Sequence, residues 1–260
     1  MGVSSDETAA WRDAADAAHI PFDEELGVHP QSEGFTTYAE WDFNEKTAYP
    51  LLLHEPYALL YSAQVIKQTD LVLAMYWQSH KFTDEQKARN VDYYERRTVR
   101  DSSLSACTQA VMCANVGHLE LAHDYTYEAA LVDLRDLHHN TRDGLHMASL
   151  AGAWTALVAG FGGLRDDEGL LALNPYLPDG ISRLRFRLRW RDFRLTVDVI
   201  HDEATYTLRD GPEGELTIRH DGEDLELSTS APTTITLKKC EPLLPPPQQP
   251  PGREPLHRRR

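Results

Sequence analysis

Residues 98–109 read TVRDSSLSACTQ, and residues 140–154 read NTRDGLHMASLAGAW. In each stretch an Arg-Asp pair precedes a short polar turn, and small and apolar residues then follow at helical spacing. The pattern predicts two helices, over 102–115 and 145–160, packed closely through Ala, Ser, Gly and Cys. A helix N-terminus presents unpaired backbone N–H groups and a partial positive charge. Ser102 and Ser103 add hydroxyls and His146 an imidazole, so these three are candidate ligands for a small anion, with phosphate a good fit. Taken singly, Asp101 and Asp143 read as ordinary N-caps, Ser102 and Ser103 as first-turn residues, and His146 as a hydrogen-bonded packing residue. The repetition of the motif favours the anion site.

The helical signals extend outward from these stretches, from Ser4 to about Gly163. Capping boxes are readable at Ser4 with Glu7 and at Thr83 with Gln86, and Gly117 is placed to end the 102–115 helix before a further one over 119–136. Roughly seven helices are predicted by periodicity. Lys67-Gln68 lies between apolar runs, where Lys and Gln together can bind the hydroxyls of a sugar or, more plainly, face water at a helix end. After Gly162-Gly163 the period falls to two. In LRFRLRW (184–190) and the runs up to Leu237, apolar and polar residues alternate as in a half-buried antiparallel sheet. The stripe Arg183, Arg185, Arg187, Arg189 and Arg191 is read as its solvated face. The fold class is therefore mainly α with a C-terminal β module: a helical domain over 1–163, a small antiparallel β-sheet domain over 164–240, and a proline-rich tail over 241–260 expected to be disordered.

With 260 residues and 41% hydrophobic content the chain can bury a substantial core. Its formal charge of −15 argues against nucleic acid or an anionic membrane as partner. No apolar run approaches the ~20 residues needed to span a bilayer. The N-terminal MGVSSDETAAW lacks the basic and apolar regions of a signal peptide, so a cytoplasmic protein is expected. Cys107, Cys113 and Cys240 lack CxxC spacing and read as free thiols, and no histidine pair has the spacing of a zinc helix, so no metal is assigned. Trp41, Tyr57, Tyr61, Trp77 and Trp154 line a cleft or, by default for aromatics at helical spacing, fill a core.

Five motifs in order, GVHPQSEGFTTYAEWDF (27–43), VIKQTDLVLA (65–74), YYERRTVRDSSLSACTQAV (93–111), NTRDGLHMASLAGAW (140–154) and LVAGFGGLRD (157–166), resemble the C-terminal part of glycoside hydrolase family 65. That family comprises inverting phosphorylases of maltose, trehalose and kojibiose together with some hydrolases. The resemblance runs from about Trp11 to about Leu237. It implies a partial (α/α)6 toroid followed by a small antiparallel β-sheet domain. It also implies that Lys67 and Gln68 hold a glucosyl unit, while Ser102, Ser103 and His146 surround inorganic phosphate, which serves as co-substrate with no further cofactor. The substrates implied are an α-linked glucose disaccharide and phosphate.

The family's general acid lies in an upstream Asp-Glu-Tyr motif that this sequence does not contain. No catalytic acid is therefore assigned. The chain is expected to be the C-terminal portion of a longer enzyme, nearly inactive alone, forming a homodimer or associating with a complementary upstream fragment. A hydrolytic variant would need a carboxylate base at the phosphate position, with Glu95 or Asp101 on offer. From another class, the chain reads as a non-catalytic interaction module or remnant.

Overall fold

The computed structural model describes residues 2–44, 46–211 and 215–258. Its helices are α1 (Ser5–Asp16), α2 (Tyr57–Leu60), α3 (Asp70–Trp77), α4 (Asp84–Glu95), α5 (Ser105–Asn115), α6 (Leu119–Leu131) and α7 (Met147–Thr155), the last running into a π-helical turn over Ala156–Phe161. The α4 capping box is complete. Gln86 N–H donates to Thr83 Oγ1 (3.2 Å), and Thr83 N–H to Gln86 Oε1 (2.9 Å). At α1 only half of the box forms, Glu7 N–H to Ser4 Oγ (3.2 Å), and no residue of that helix is buried.

Three helix boundaries depart from expectation. α5 begins at Ser105 instead of 102, with Leu104 at its N-cap and no side-chain cap. α6 stops at Leu131 instead of 136. Asp143 closes the short 3₁₀ turn Thr141–Asp143, and His146 occupies the N-cap of α7. Asp101 and Asp143 are therefore not N-caps, because both lie outside the first turn of the helix that follows.

α5 lies against α6, α7 and the π turn, and small residues set the distance. A Cβ at Gly152 would meet Cys107 Cβ and Sγ at 2.5 Å. Ala106, Ala110, Ala114, Ala156 and Ala159 are buried around this seam.

A two-residue parallel pair joins β1 (Ala39–Glu40) to β2 (Ala63–Gln64). The remaining strands form two sheets. One, ordered β3-β7-β8, contains Ala172–Leu173, Glu215–His220 and Glu223–Ser228; the other, ordered β4-β5-β6-β9, is antiparallel and contains Leu184–Trp190, Phe193–Val199, Glu203–Asp210 and Thr233–Thr236. The period of two sends Leu195, Val197, Val199, Tyr206 and Leu208 inward. The arginines of β4 and its flanks stay exposed, with Arg183 Nε donating to Asp198 Oδ1 (2.7 Å). That stripe is the solvated face of the sheet, as expected from the alternation.

One buried cluster runs from Met75, Tyr94 and Met112 in the helices to Val197, Ile218 and Leu227 in the sheets. The link between the two parts passes through Gly163, whose φ is +62°. A Cβ there would fall 2.1 Å from the Asn174 carbonyl oxygen, so this position requires glycine.

The proline-rich segment differs most from its expectation. Residues 241–258 are described and docked on the helical part. Gln249 Nε2 donates to Glu95 Oε2 (3.0 Å), Arg100 Nη2 to the Glu254 carbonyl (2.6 Å), and Leu256 N–H to Glu128 Oε2 (2.9 Å). Gly117, at φ +89°, both ends α5 and leaves room for Pro242, whose N and Cα would lie 2.9 Å from a Cβ there. Composition weighs only apolar content. A proline-restricted chain loses little entropy on docking, and here polar and ionic partners hold it.

Two predictions follow from this packing. Gly152→Ala should destabilise the protein by about 1–3 kcal/mol through overpacking, read as a lowered urea midpoint; an unchanged midpoint would mean α5 and α7 are not in close contact. Glu95 accepts hydrogen bonds from Tyr125, Gln109 and Gln249, and burial outweighs them in raising its pKa. A raised carboxyl pKa favours the folded state at low pH, and that contribution is lost as pH rises through the raised value. The stability of the parent relative to Glu95→Gln should therefore decline as pH rises above 4.5, the ordinary value. The slope should be at most about 1.4 kcal/mol per pH unit. A pH-independent difference would contradict the assignment.

Candidate functional site

Two paired segments bring Lys67 and Gln68 alongside Ser102. The run after β2 pairs with the run after α4: Ile66 N–H donates to the Arg97 carbonyl and Val99 N–H to the Ile66 carbonyl, each at 2.9 Å. Gln64 locks this pairing from within. Its Oε1 accepts from Arg97 Nε (2.8 Å) and Tyr93 Oη (2.5 Å), while its Nε2 donates to the Tyr38 carbonyl (2.7 Å). The register delivers Lys67-Gln68 alongside Ser102–Ser105. Ser102 Oγ donates to Gln68 Oε1 (2.8 Å), Gln68 Nε2 to Asp70 Oδ1 (3.1 Å), and Ser105 Oγ to the Lys67 carbonyl (3.3 Å).

Lys67 itself is exposed. It borders a cleft of about 590 Å³ that Gln68, Asp70, Tyr61, Tyr38 and Gln31 also line. Aromatic faces with amide, carboxylate and ammonium groups suit a polyhydroxylated ligand. Tyr57 and Tyr61 stack at 6.0 Å beside Lys67 and are 57% and 75% exposed.

Ser103 is half-buried next to Ser102. His146 is held from α6's far end: its backbone N–H donates to Asp133 Oδ2 (2.9 Å), and its Nδ1 lies 2.6 Å from Asp133 Oδ1. That bond sets the ring orientation and depresses the Asp133 pKa. Among the described residues no hydrogen bond joins His146 to Ser102 or Ser103. A cavity of about 290 Å³ lies beside the first stretch, and none of Ser102, Ser103 and His146 lines it. Asp101, adjacent to Ser102, lines it together with Arg100, Glu128, Arg253 and His138, whose ring centroid is 5.6 Å from that of His146.

The neighbouring charges are occupied. Asp101 accepts from Leu51 N–H (2.7 Å) and Arg253 Nη2 (3.0 Å), with its side chain 1% exposed. Burial pushes its pKa up, while Arg253, the Leu51 N–H and Lys67 draw it down. Arg100 sits at φ +53° and pairs with Glu128 (3.0 Å) rather than with Asp101. Glu95, the other carboxylate a hydrolytic variant would draw on, is buried among Gln109, Tyr125 and Gln249. It is a structural acid of the core.

Sequence reasoning missed Asp133 and Arg253. Asp133 meets His146, 13 residues on, and Arg253 meets Asp101, 152 residues back, and neither carries a local motif that would single it out. Among the described residues no group of three or more His, Cys, Asp or Glu side chains is arranged to hold a metal ion, and no helix is long and apolar enough to cross a membrane.

Comparison with known proteins places this geometry. Residues 1–155 match the profile of the glycosyl hydrolase family 65 central catalytic domain, and residues 164–227 that of the family's C-terminal domain. A protein of Mycobacterium leprae described as an uncharacterized glycosyl hydrolase is 77% identical over 259 residues, covering 100% of this chain and 33% of that protein. An α,α-trehalose phosphorylase of Geobacillus stearothermophilus is 38% identical over 91% of this chain and 31% of its own length. A kojibiose phosphorylase of Halothermothrix orenii is 30% identical over 88% of this chain and 30% of its own. A solved structure assigned as a kojibiose phosphorylase from the human microbiome superposes with a TM-score of 0.80 at 29% identity, over 94% of this chain and 36% of that one. The 260 residues thus span about a third of the length of these relatives. With the central-domain match covering more than half of the sequence, the chain belongs to glycosyl hydrolase family 65.

Proposed function

We propose that this chain is the C-terminal part of an inverting α-glucoside phosphorylase, its helices forming part of an (α/α)6 toroid. Lys67 and Gln68 bind the glucosyl unit, and Ser102, Ser103 and His146 bind inorganic phosphate. The observation that supports this reading is the 2.8 Å hydrogen bond from Ser102 to Gln68, which joins a residue proposed for phosphate to one proposed for the sugar. A phosphate oxygen attacks the anomeric carbon as the glycosidic C–O bond breaks. An acid from the upstream part of the enzyme protonates the departing oxygen, and β-glucose 1-phosphate forms with inverted configuration.

Phosphorolysis is favoured over hydrolysis because both proposed bases are engaged elsewhere. Glu95 is enclosed in the core, and both oxygens of Asp101 hold partners. The exposed Trp11, Trp77 and Trp154, at 57%, 66% and 60%, offer an apolar surface against which the upstream part packs.

Loss of a general acid commonly costs ~10²–10⁴-fold in rate. The 260-residue chain, mixed with trehalose or kojibiose and phosphate, should therefore yield almost no glucose 1-phosphate, and an upstream segment carrying the acid should restore it. Robust turnover by the chain alone would refute the missing acid, and glucose release indifferent to phosphate would favour a hydrolase. Joint Ser102→Ala and Ser103→Ala substitution should weaken phosphate binding by about 10–100-fold, the value of hydrogen bonds to a charged group, measured by calorimetric titration. Unchanged affinity would move the phosphate site elsewhere.

A further inference from the structure

The C-terminal segment reaches the candidate phosphate turn through one residue. Arg253 Nη2 donates to Asp101 Oδ1 at 3.0 Å. Arg253 Nε donates to the Val99 carbonyl, and the guanidinium lies over the Tyr49 ring at 4.7 Å. The Arg253 and Asp101 side chains are 14% and 1% exposed, so this pair is shielded from solvent and bulk ions screen it weakly. On either side the segment is anchored by Gln249 on Glu95 and by Leu256 N–H on Glu128. Arg253 is therefore held in place and does not swing freely.

Asp101 immediately precedes Ser102 and Ser103. A buried carboxylate next to an anion site would oppose any anion arriving there, because like charges in a partly desolvated site repel strongly. Leu51 N–H satisfies one oxygen without cancelling the charge. Lys67 and His54 also act on Asp101, and Arg253 supplies the cation in direct contact with it from 152 residues away.

We infer that Arg253 is a positioning residue: the C-terminal segment delivers its guanidinium to neutralise Asp101, and that makes the Ser102–Ser103 turn receptive to phosphate. The inference rests on the phosphate role proposed for that turn. It adds a contribution from the proline-rich segment, which lies outside the span of the family motifs. Arg253 acts on the anion through Asp101 and need not touch it.

Charge repair separates this role from simple structural support. Inorganic phosphate is titrated into the whole chain by calorimetry, with circular dichroism and melting curves confirming that each variant is folded. Arg253→Ala should weaken phosphate binding about tenfold, the equivalent of one uncompensated charge acting over one pKa unit. Arg253→Lys should retain most of the affinity. Adding Asp101→Asn to Arg253→Ala should bring affinity back towards that of the parent, since Asn still accepts from Leu51 N–H but carries no charge. Parent-like binding by Arg253→Ala would overturn the inference, as would a folded double variant that binds no better than Arg253→Ala.

Should Arg253→Ala fail to fold, Asp101→Asn alone decides. Tighter phosphate binding supports the inference, because the guanidinium is then uncancelled, and weaker binding overturns it. A parent chain that binds no phosphate would instead sink the phosphate reading of the turn, and this inference with it.

Discussion

The candidate site depends on the pairing of two short strips of backbone, 64–66 and 97–99. Two main-chain hydrogen bonds at Ile66 set the register, and the buried Gln64, gripped by Tyr93, Arg97 and Tyr38, prevents a slip. A shift in this pairing would move Gln68 out of line with Ser102. The chemistry is therefore carried by loops, and the helices hold those loops still. This follows the common division in which a packed scaffold supplies rigidity and connecting segments supply function.

The scaffold's rigidity comes from close approach more than from large apolar side chains. α5 is lined with alanine, and at Gly152 the α7 backbone meets Cys107 with no room for a methyl group. The core continues through the Gly163 link into the sheets. The β module thus shares one core with the helices.

Local chemistry made part of this legible in the sequence. The Thr83–Gln86 box, the Gly117 helix end and the period-two alternation of 184–190 each involve residues a few positions apart, where spacing determines the interaction. α5 starts later than its sequence suggests because Asp101, a strong capping residue in isolation, is engaged by Leu51 and Arg253, 50 residues before it and 152 after. His146 stands out in the sequence, but the carboxylate that orients it, Asp133, has no motif to reveal it. The tail departs from its composition because proline content describes what a segment lacks in apolar surface, and this segment is held by Glu95, Glu128 and Arg100. Candidate ligand residues were recognisable one at a time, whereas their electrostatic environment is a product of tertiary structure.

The separation of Arg253 from Asp101 along the chain, 152 positions, bears on how the protein is made. Arg100 meets the Glu254 carbonyl across 154 positions, and contacts of such separation form late because the intervening loop must be closed first. During synthesis the turns that carry Ser102 and His146 emerge well before Arg253 does. The nascent protein therefore holds Asp101 without its guanidinium until a residue 152 positions further on has been made.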